Sequence, residues 1–204
     1  MKKTNTQKLM GKDFVTIGIF SILLMAVFIV VSLPFMPFLS VAYPLIGVAS
    51  AIFTAPVFML MTYKVAKRGT VFLCSTIISL LYVIMGYVYL LPFGIAAGML
   101  CEAIVWKKGA YRSFWYNSAS FSVFCVWLYL GSSFLPIYIF GTEYYKKLLS
   151  GNEESALVHI KFATSPLWAA GSVIITVIAA VIGCLIGRRL LKKHFIKAGV
   201  IAAE

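Results

Sequence analysis

Groups able to carry acid–base or ligand chemistry are scarce in this chain. It has two histidines, His159 and His194, six carboxylates and four cysteines in 204 residues. A membrane metalloprotease needs His and Glu in a His-Glu-x-x-His helix turn, and neither histidine has that setting. A membrane serine protease needs Ser and His together inside the bilayer, yet both histidines lie outside the apolar stretches. No glycine-rich phosphate loop occurs, so the chain has no such route to ATP. Proton- or sodium-coupled carriers and metal-dependent phosphotransferases need buried or clustered acids. Here Asp13, Glu143, Glu153, Glu154 and Glu204 fall in loops or at ends, and Glu102 alone sits within an apolar stretch. Cys74, Cys101, Cys125 and Cys184 have neither zinc-like nor redox-like spacing and read as small core residues. An enzyme is not expected, nor a resident cofactor or metal. What remains is recognition chemistry. Phe35, Met36, Phe38, Tyr87, Tyr89, Phe134, Tyr138, Tyr144, Tyr145, His159 and Trp168 gather at stretch ends. Such aromatics serve as interfacial anchors, or they line a pocket for a flat aromatic or heterocyclic solute. Were the solute a metal porphyrin such as haem, His159, Tyr144 or Tyr145 could supply an axial ligand.

The elements that position these residues must be membrane helices. Hydrophobic residues make up 62% of the chain and charged residues 12%. A chain of this length cannot bury so much apolar surface in water, so lipid is its solvent. A span needs about 20 mostly apolar residues. The pattern predicts a single all-α membrane domain with six spans near residues 14–33, 42–63, 71–91, 94–106, 113–140 and 166–191. The fourth is short. The basic N-terminus precedes a run with no small-residue cleavage site, which reads as a retained helix.

The cations are sorted by side. Fifteen of the 18 Lys and Arg residues occupy alternate polar gaps: the N-terminal segment, the gap at 64–68, the gap at 107–112 and the C-terminal tail. Lys146, Lys147 and Lys161 are the exceptions, all in the loop at 141–165. The positive-inside rule then places both termini in the cytoplasm and the aromatic set outside. The net charge of +12 reads as topology and as attraction to an anionic leaflet, and no nucleic-acid partner is expected. Within the outer loop, residues 143–149 and 153–162 suit short amphipathic helices that could cover a site.

Small residues recur every four positions at Gly47, Ala51 and Ala55, at Gly94 and Gly98, and at Ala179, Gly183 and Gly187. This spacing lets helix backbones approach closely, chiefly within the bundle. Gly18, Ser21 and Ala26 form a looser face suited to docking another subunit. Glu102 reads most simply as paired with Lys107 and Arg112, and alternatively as a partner contact. No polar helix stripe and no internal repeat is evident, which argues against a stand-alone channel and against an inverted-repeat carrier.

Three segments carry a family resemblance: Lys12-Asp13-Phe14-Val15-Thr16-Ile17-Gly18-Ile19-Phe20; Pro56-Val57-Phe58-Met59-Leu60-Met61-Thr62-Tyr63-Lys64-Val65-Ala66-Lys67-Arg68-Gly69; and Gly98-Met99-Leu100-Cys101-Glu102-Ala103-Ile104 with Gly109-Ala110-Tyr111-Arg112. They resemble the substrate-binding S components of energy-coupling-factor (ECF) transporters, in the Trep_Strep or MptD-type subgroup. The resemblance implies six helices and an outer solute site. It implies docking to a transmembrane T subunit that carries two ATPases, and uptake of a vitamin or other micronutrient. It also implies a small-residue docking face on the first helix. The matching positions are Gly18 and Ile22, with Ser21 beside them, so Ile22 departs from the small-residue pattern. A stand-alone permease or channel for a small solute is the alternative.

Overall fold

The computed structural model describes residues 8–107, 109–148 and 153–196, and these are helical almost throughout. Helix α1 is Gly11–Ser32 and α2 is Leu39–Val65, joined by a 3-10 turn at Leu33–Phe38 that holds Pro34 and Pro37. Then come α3 (Thr70–Ile84), α4 (Leu90–Val105), a 3-10 turn at Ala110–Arg112 and α5 (Phe114–Tyr129). A π turn at Leu130–Phe134 leads into α6 (Leu135–Phe140), followed by α7 (Thr142–Leu148), α8 (Glu153–Thr164) and α9 (Pro166–Leu190).

Six of these helices close into a ring. Going round it, α1 packs on α2, α2 on α9, α9 on α5, α5 on α4, α4 on α3, and α3 back on α1. The recurring small residues make the tightest seams. A Cβ on Gly183 would stand 2.7 Å from both Ala55 Cβ and the Ile52 carbonyl oxygen of α2. One on Gly98 would stand 2.9 Å from Ser75 Cβ of α3, and the Ser75 hydroxyl donates to the Gly94 carbonyl at 2.7 Å. With no hydrophobic drive between helices in lipid, such backbone approach supplies the packing energy. The outward faces of α1 and α9 expose Val15, Ile19, Val30, Ile174, Ile178 and Ile182. An all-round apolar surface of this kind belongs against acyl chains.

Four helical stretches are long and apolar enough to cross a membrane: Gly11–Phe35, Ile46–Val65, Phe114–Phe140 and Pro166–Lys193. Helix α3 falls short of the predicted span at 71–91, whereas α4 begins earlier than the predicted 94–106 and is the longer for it. Helix α3 ends at Ile84 after 15 residues, and α4 has 16. At 1.5 Å per residue they measure roughly 22–24 Å. Gly86, at φ 97°, turns the chain there, so Tyr87 and Tyr89 lie in the turn and not on a third helix reaching residue 91.

The fifth apolar stretch also departs from a continuous helix. Pro136 has no N–H to donate and its ring crowds the carbonyl of Ser132, four residues back. The helix opens into the π turn at Leu130–Phe134 at that point. The loop at 141–165 contains α7 and α8, in line with its two amphipathic segments. Interior polarity is greater than the sequence suggested. Buried Asn117, Ser118, Ser120 and Ser122 give α5 a polar stripe.

Candidate functional site

The two ends of the ring are built differently. At one end, cations and carboxylates hold the chain together. Glu102 reaches out of α4 to the start of α3 and is only 5% exposed. Its Oε1 accepts the Gly69 N–H at 2.6 Å, while its Oε2 accepts the N–H groups of Val71 at 2.9 Å and Phe72 at 3.1 Å. The hydroxyl of Tyr111 also donates to Oε1. A helix N-terminus presents unsatisfied amides and a positive dipole end, so a carboxylate is the complementary cap. Gly69 at the cap position offers no side chain of its own. Burial, then the hydrogen bond to Glu102, push the Tyr111 phenol up, which keeps it a proton donor. The expected pairing of Glu102 with Lys107 and Arg112 is therefore replaced by backbone amides some thirty residues away in sequence.

Two further contacts close this end. Asp13 accepts from Lys67 Nζ at 2.5 Å and from the Met10 N–H at 2.7 Å, tying α1 to the α2–α3 turn. The Asn117 amide donates to the carbonyls of Tyr111 at 2.7 Å and Ser113 at 2.9 Å, fixing the turn ahead of α5. Arg68 stacks over Trp106 at 4.8 Å and Arg188 over Phe114 at 5.3 Å.

The opposite end is aromatic. Rings run in contact from α3 through the α3–α4 turn to α6 and α7. Tyr82 meets Tyr87 at 6.1 Å, Tyr87 meets Tyr89 at 6.2 Å, Tyr89 meets Phe140 at 5.8 Å, and Phe140 meets Tyr144 at 5.0 Å. The line thus joins the α3–α4 turn to α6 and α7. The first two contacts are edge-on and the last two tilted, so no pair is stacked face to face.

The expected site residues divide into groups. Tyr87, Tyr89 and Tyr144 join the line. Tyr145 and His159 form a separate buried pair, with the Tyr145 hydroxyl 2.9 Å from His159 Nδ1, joining α7 to α8. Tyr138 stacks on Phe134 and donates its hydroxyl to the Ala163 carbonyl at 3.0 Å. Trp168 stands apart, edge-on to Phe162 at 5.0 Å. Phe35 is half-buried in the Leu33–Phe38 turn, and the side chains of Met36 and Phe38 lie outside the described residues. Tyr82 and Phe140 were missed. Helical spacing flags neither, since Gly141, at φ 86°, breaks the helix between Phe140 and Tyr144. For axial ligation, His159 and Tyr145 are already engaged with each other, which leaves the more exposed Tyr144. Among the described residues, no three His, Cys, Asp or Glu side chains gather as a metal site.

The Tyr145–His159 bond gives a local prediction. Tyr145→Phe should raise the rate of proteinase K cleavage within residues 141–165 severalfold and leave the ring intact, since a buried hydrogen bond contributes about 1 kcal/mol. Unchanged cleavage would mean that this bond does not hold α7 to α8.

The docking candidates divide as well. Gly18, Ile22 and Ala26 lie on the open side of α1, and a Cβ on Gly18 would meet nothing within 4 Å. Ser21 faces inward and donates to the Ile17 carbonyl at 2.8 Å. Glu102 is enclosed as described above.

No match was found among curated proteins or solved structures. The model of one family, described as a hypothetical bacterial integral membrane protein (Trep_Strep), matches residues 11–197. With nearly the whole chain matched and its helices closed into an apolar ring, the protein belongs to the Trep_Strep family of bacterial integral membrane proteins.

Proposed function

We propose that this chain is the solute-capturing S subunit of an ATP-driven ECF importer for a vitamin or other micronutrient. In this reading it is not an enzyme. A T subunit and two ATPase subunits supply the energy. The chain lies in the cell membrane with its basic end and both termini cytoplasmic, and α3 and α4 complete six passes. The observation that carries the reading is the contrast between the two ends. The basic end is fastened by Glu102, Asp13 and Asn117, whereas the opposite end offers a line of five aromatic rings. A subunit that takes solute at one face and moves as a body suits that contrast better than a pore that must open at both ends. The solute class favoured by these rings is flat and aromatic or heterocyclic. A porphyrin would have Tyr144 as its exposed ligand.

The test is purification from the native membrane. The chain should bring down a T subunit with paired ATPases. Solute flux through liposomes containing this chain alone, without ATP, would overturn the proposal. Gly18 gives a sharper probe. Gly18→Trp should abolish co-purification while leaving thermal stability and solute binding unchanged, because the added side chain enters open space. Full assembly of the variant would rule out this face as the docking surface.

A stand-alone permease has one observation in its favour. The buried hydroxyls of Ser50 and Ser122 find no hydrogen-bond partner among the described residues, as a polar path would leave them. The same flux measurement decides between the two readings.

A further inference from the structure

The basic end has more positive charge than its own carboxylates can neutralise. Asp13 is taken by Lys67 and Met10, and Glu102 by the α3 amides and Tyr111. Among the described residues no other carboxylate lies at that end. Lys64, Arg68, Lys107, Arg112, Arg188 and Arg189 therefore have no carboxylate partner among the described residues.

Two arginines belong to the corner where α5 begins and α9 ends, Arg188 by its ring contact and Arg112 by its place in the turn just before α5. Arg188 lies over the Phe114 ring at 5.3 Å. Two residues before Phe114, the half-buried Arg112 has an enclosed Nε with no acceptor among the described residues. Trp115, next along, is 75% exposed. Leu185, Ile186 and Leu190 of α9 are exposed beside Arg188 and Arg189. The Phe114 ring lies between Arg188 and Trp115, 5.3 Å from the guanidinium and 5.1 Å from the Trp115 ring, so a cation, an exposed tryptophan and the bare aliphatic side chains of α9 share this corner. This is the composition of a surface at headgroup depth, with acyl chains on one side and phosphates on the other. A guanidinium fork matches phosphate oxygens in pairs, which an ammonium does not.

We infer that the α5–α9 corner is a binding site for an anionic phospholipid, with Arg112 and Arg188 holding the phosphate and Trp115 and Ile186 flanking the acyl chains. The occupant is a lipid and not an acidic protein segment because the aliphatic side chains border the arginines directly. The site is independent of the solute and of the importer reading.

The full chain is extracted from nanodiscs containing equal phosphatidylglycerol and phosphatidylethanolamine, and retained lipid is counted by native mass spectrometry. The wild type should keep phosphatidylglycerol in preference. R112Q/R188Q should lose on the order of tenfold or more of that retention, with phosphatidylethanolamine unaffected. K146Q/K147Q, at the other end, should behave as the wild type. R112K/R188K should fold as the wild type and fall between it and the glutamine variant, which separates loss of charge from loss of structure. Equal retention of the two lipids by the wild type would overturn the proposal, as would unchanged phosphatidylglycerol in R112Q/R188Q. Unchanged lipid with reduced recovery of partner subunits would assign the arginines to a protein interface and overturn it too.

Discussion

Glu102→Ala should lower the unfolding midpoint of the detergent-solubilised protein by roughly 6–12 °C, the largest single-residue effect expected at the basic end. The substitution strands the N–H groups of Gly69, Val71 and Phe72 and the Tyr111 hydroxyl at once. Hydrogen bonds to a charged group contribute about 1.5–3 kcal/mol each, and partial access of water to the freed amides offsets some of the loss. A net cost of about 3 kcal/mol is a conservative sum, and each kcal/mol shifts the midpoint by about 2–4 °C for a chain of this size. Glu102→Gln is the more telling variant. Both carboxylate oxygens accept from backbone amides, so a glutamine must turn its own NH2 toward an N–H. It should lose at least half of what the alanine loses. The exposed Glu143 is the control, and Glu143→Gln should leave the midpoint in place. A Glu102→Gln protein melting within 2 °C of the wild type, a margin of about 1 kcal/mol, would sink the capping argument.

Gly183→Val should be more damaging still, because the neighbours it meets cannot swing away. The Cβ alone would stand 2.7 Å from the Ile52 carbonyl and 2.9 Å from the Ala51 carbonyl, both backbone atoms of α2. Helices α2 and α9 share the most extensive contact in the ring, so they must separate along their length to admit it. Overpacking of this kind costs about 1–3 kcal/mol where side chains can adjust, and more where backbone must move. The expected result is loss of the monodisperse peak in size-exclusion chromatography. Gly183→Ala should give a folded protein with a lowered midpoint. Gly171, on the same helix, has nothing within 4 Å of its Cβ position, so Gly171→Ala should be silent. Equal behaviour of the two alanine variants would refute the close α2–α9 seam.

Much of the architecture was legible in the sequence because lipid enforces simple rules. Apolar runs and small-residue spacing located the helices and the seams at Gly94, Gly98, Gly183 and Gly187. The two short amphipathic segments after Gly141 were visible in their own periodicity. The departures have local physical causes. Tyr87 and Tyr89 read as the end of a long helix, but Gly86 turns the chain first. Residues 113–140 read as one helix, because the effect of Pro136 is felt four residues earlier. Glu102 read as a partner for nearby lysine and arginine, because sequence proximity exposes neighbouring charges and hides backbone amides. Its true partners lie across a helix pair, as does the His159 partner of Tyr145. The aromatic set was legible as residue types, but not as groups. Ring contacts depend on the turn geometry that the sequence left open.

The brevity of the α3–α4 hairpin has a mechanical consequence for the surrounding bilayer. Its two helices, at roughly 22–24 Å, fall short of the ~30 Å hydrocarbon thickness, whereas the flanks formed by α1 and α9 do not. If the hairpin crosses the bilayer, as the proposed six passes require, lipid against it must compress, or the whole molecule must lean to lower its tall side toward the short one. Either response costs a fraction of a kcal/mol per ångström of mismatch. In the six-pass arrangement the membrane thus exerts a one-sided torque on the chain, and thinner bilayers relieve it.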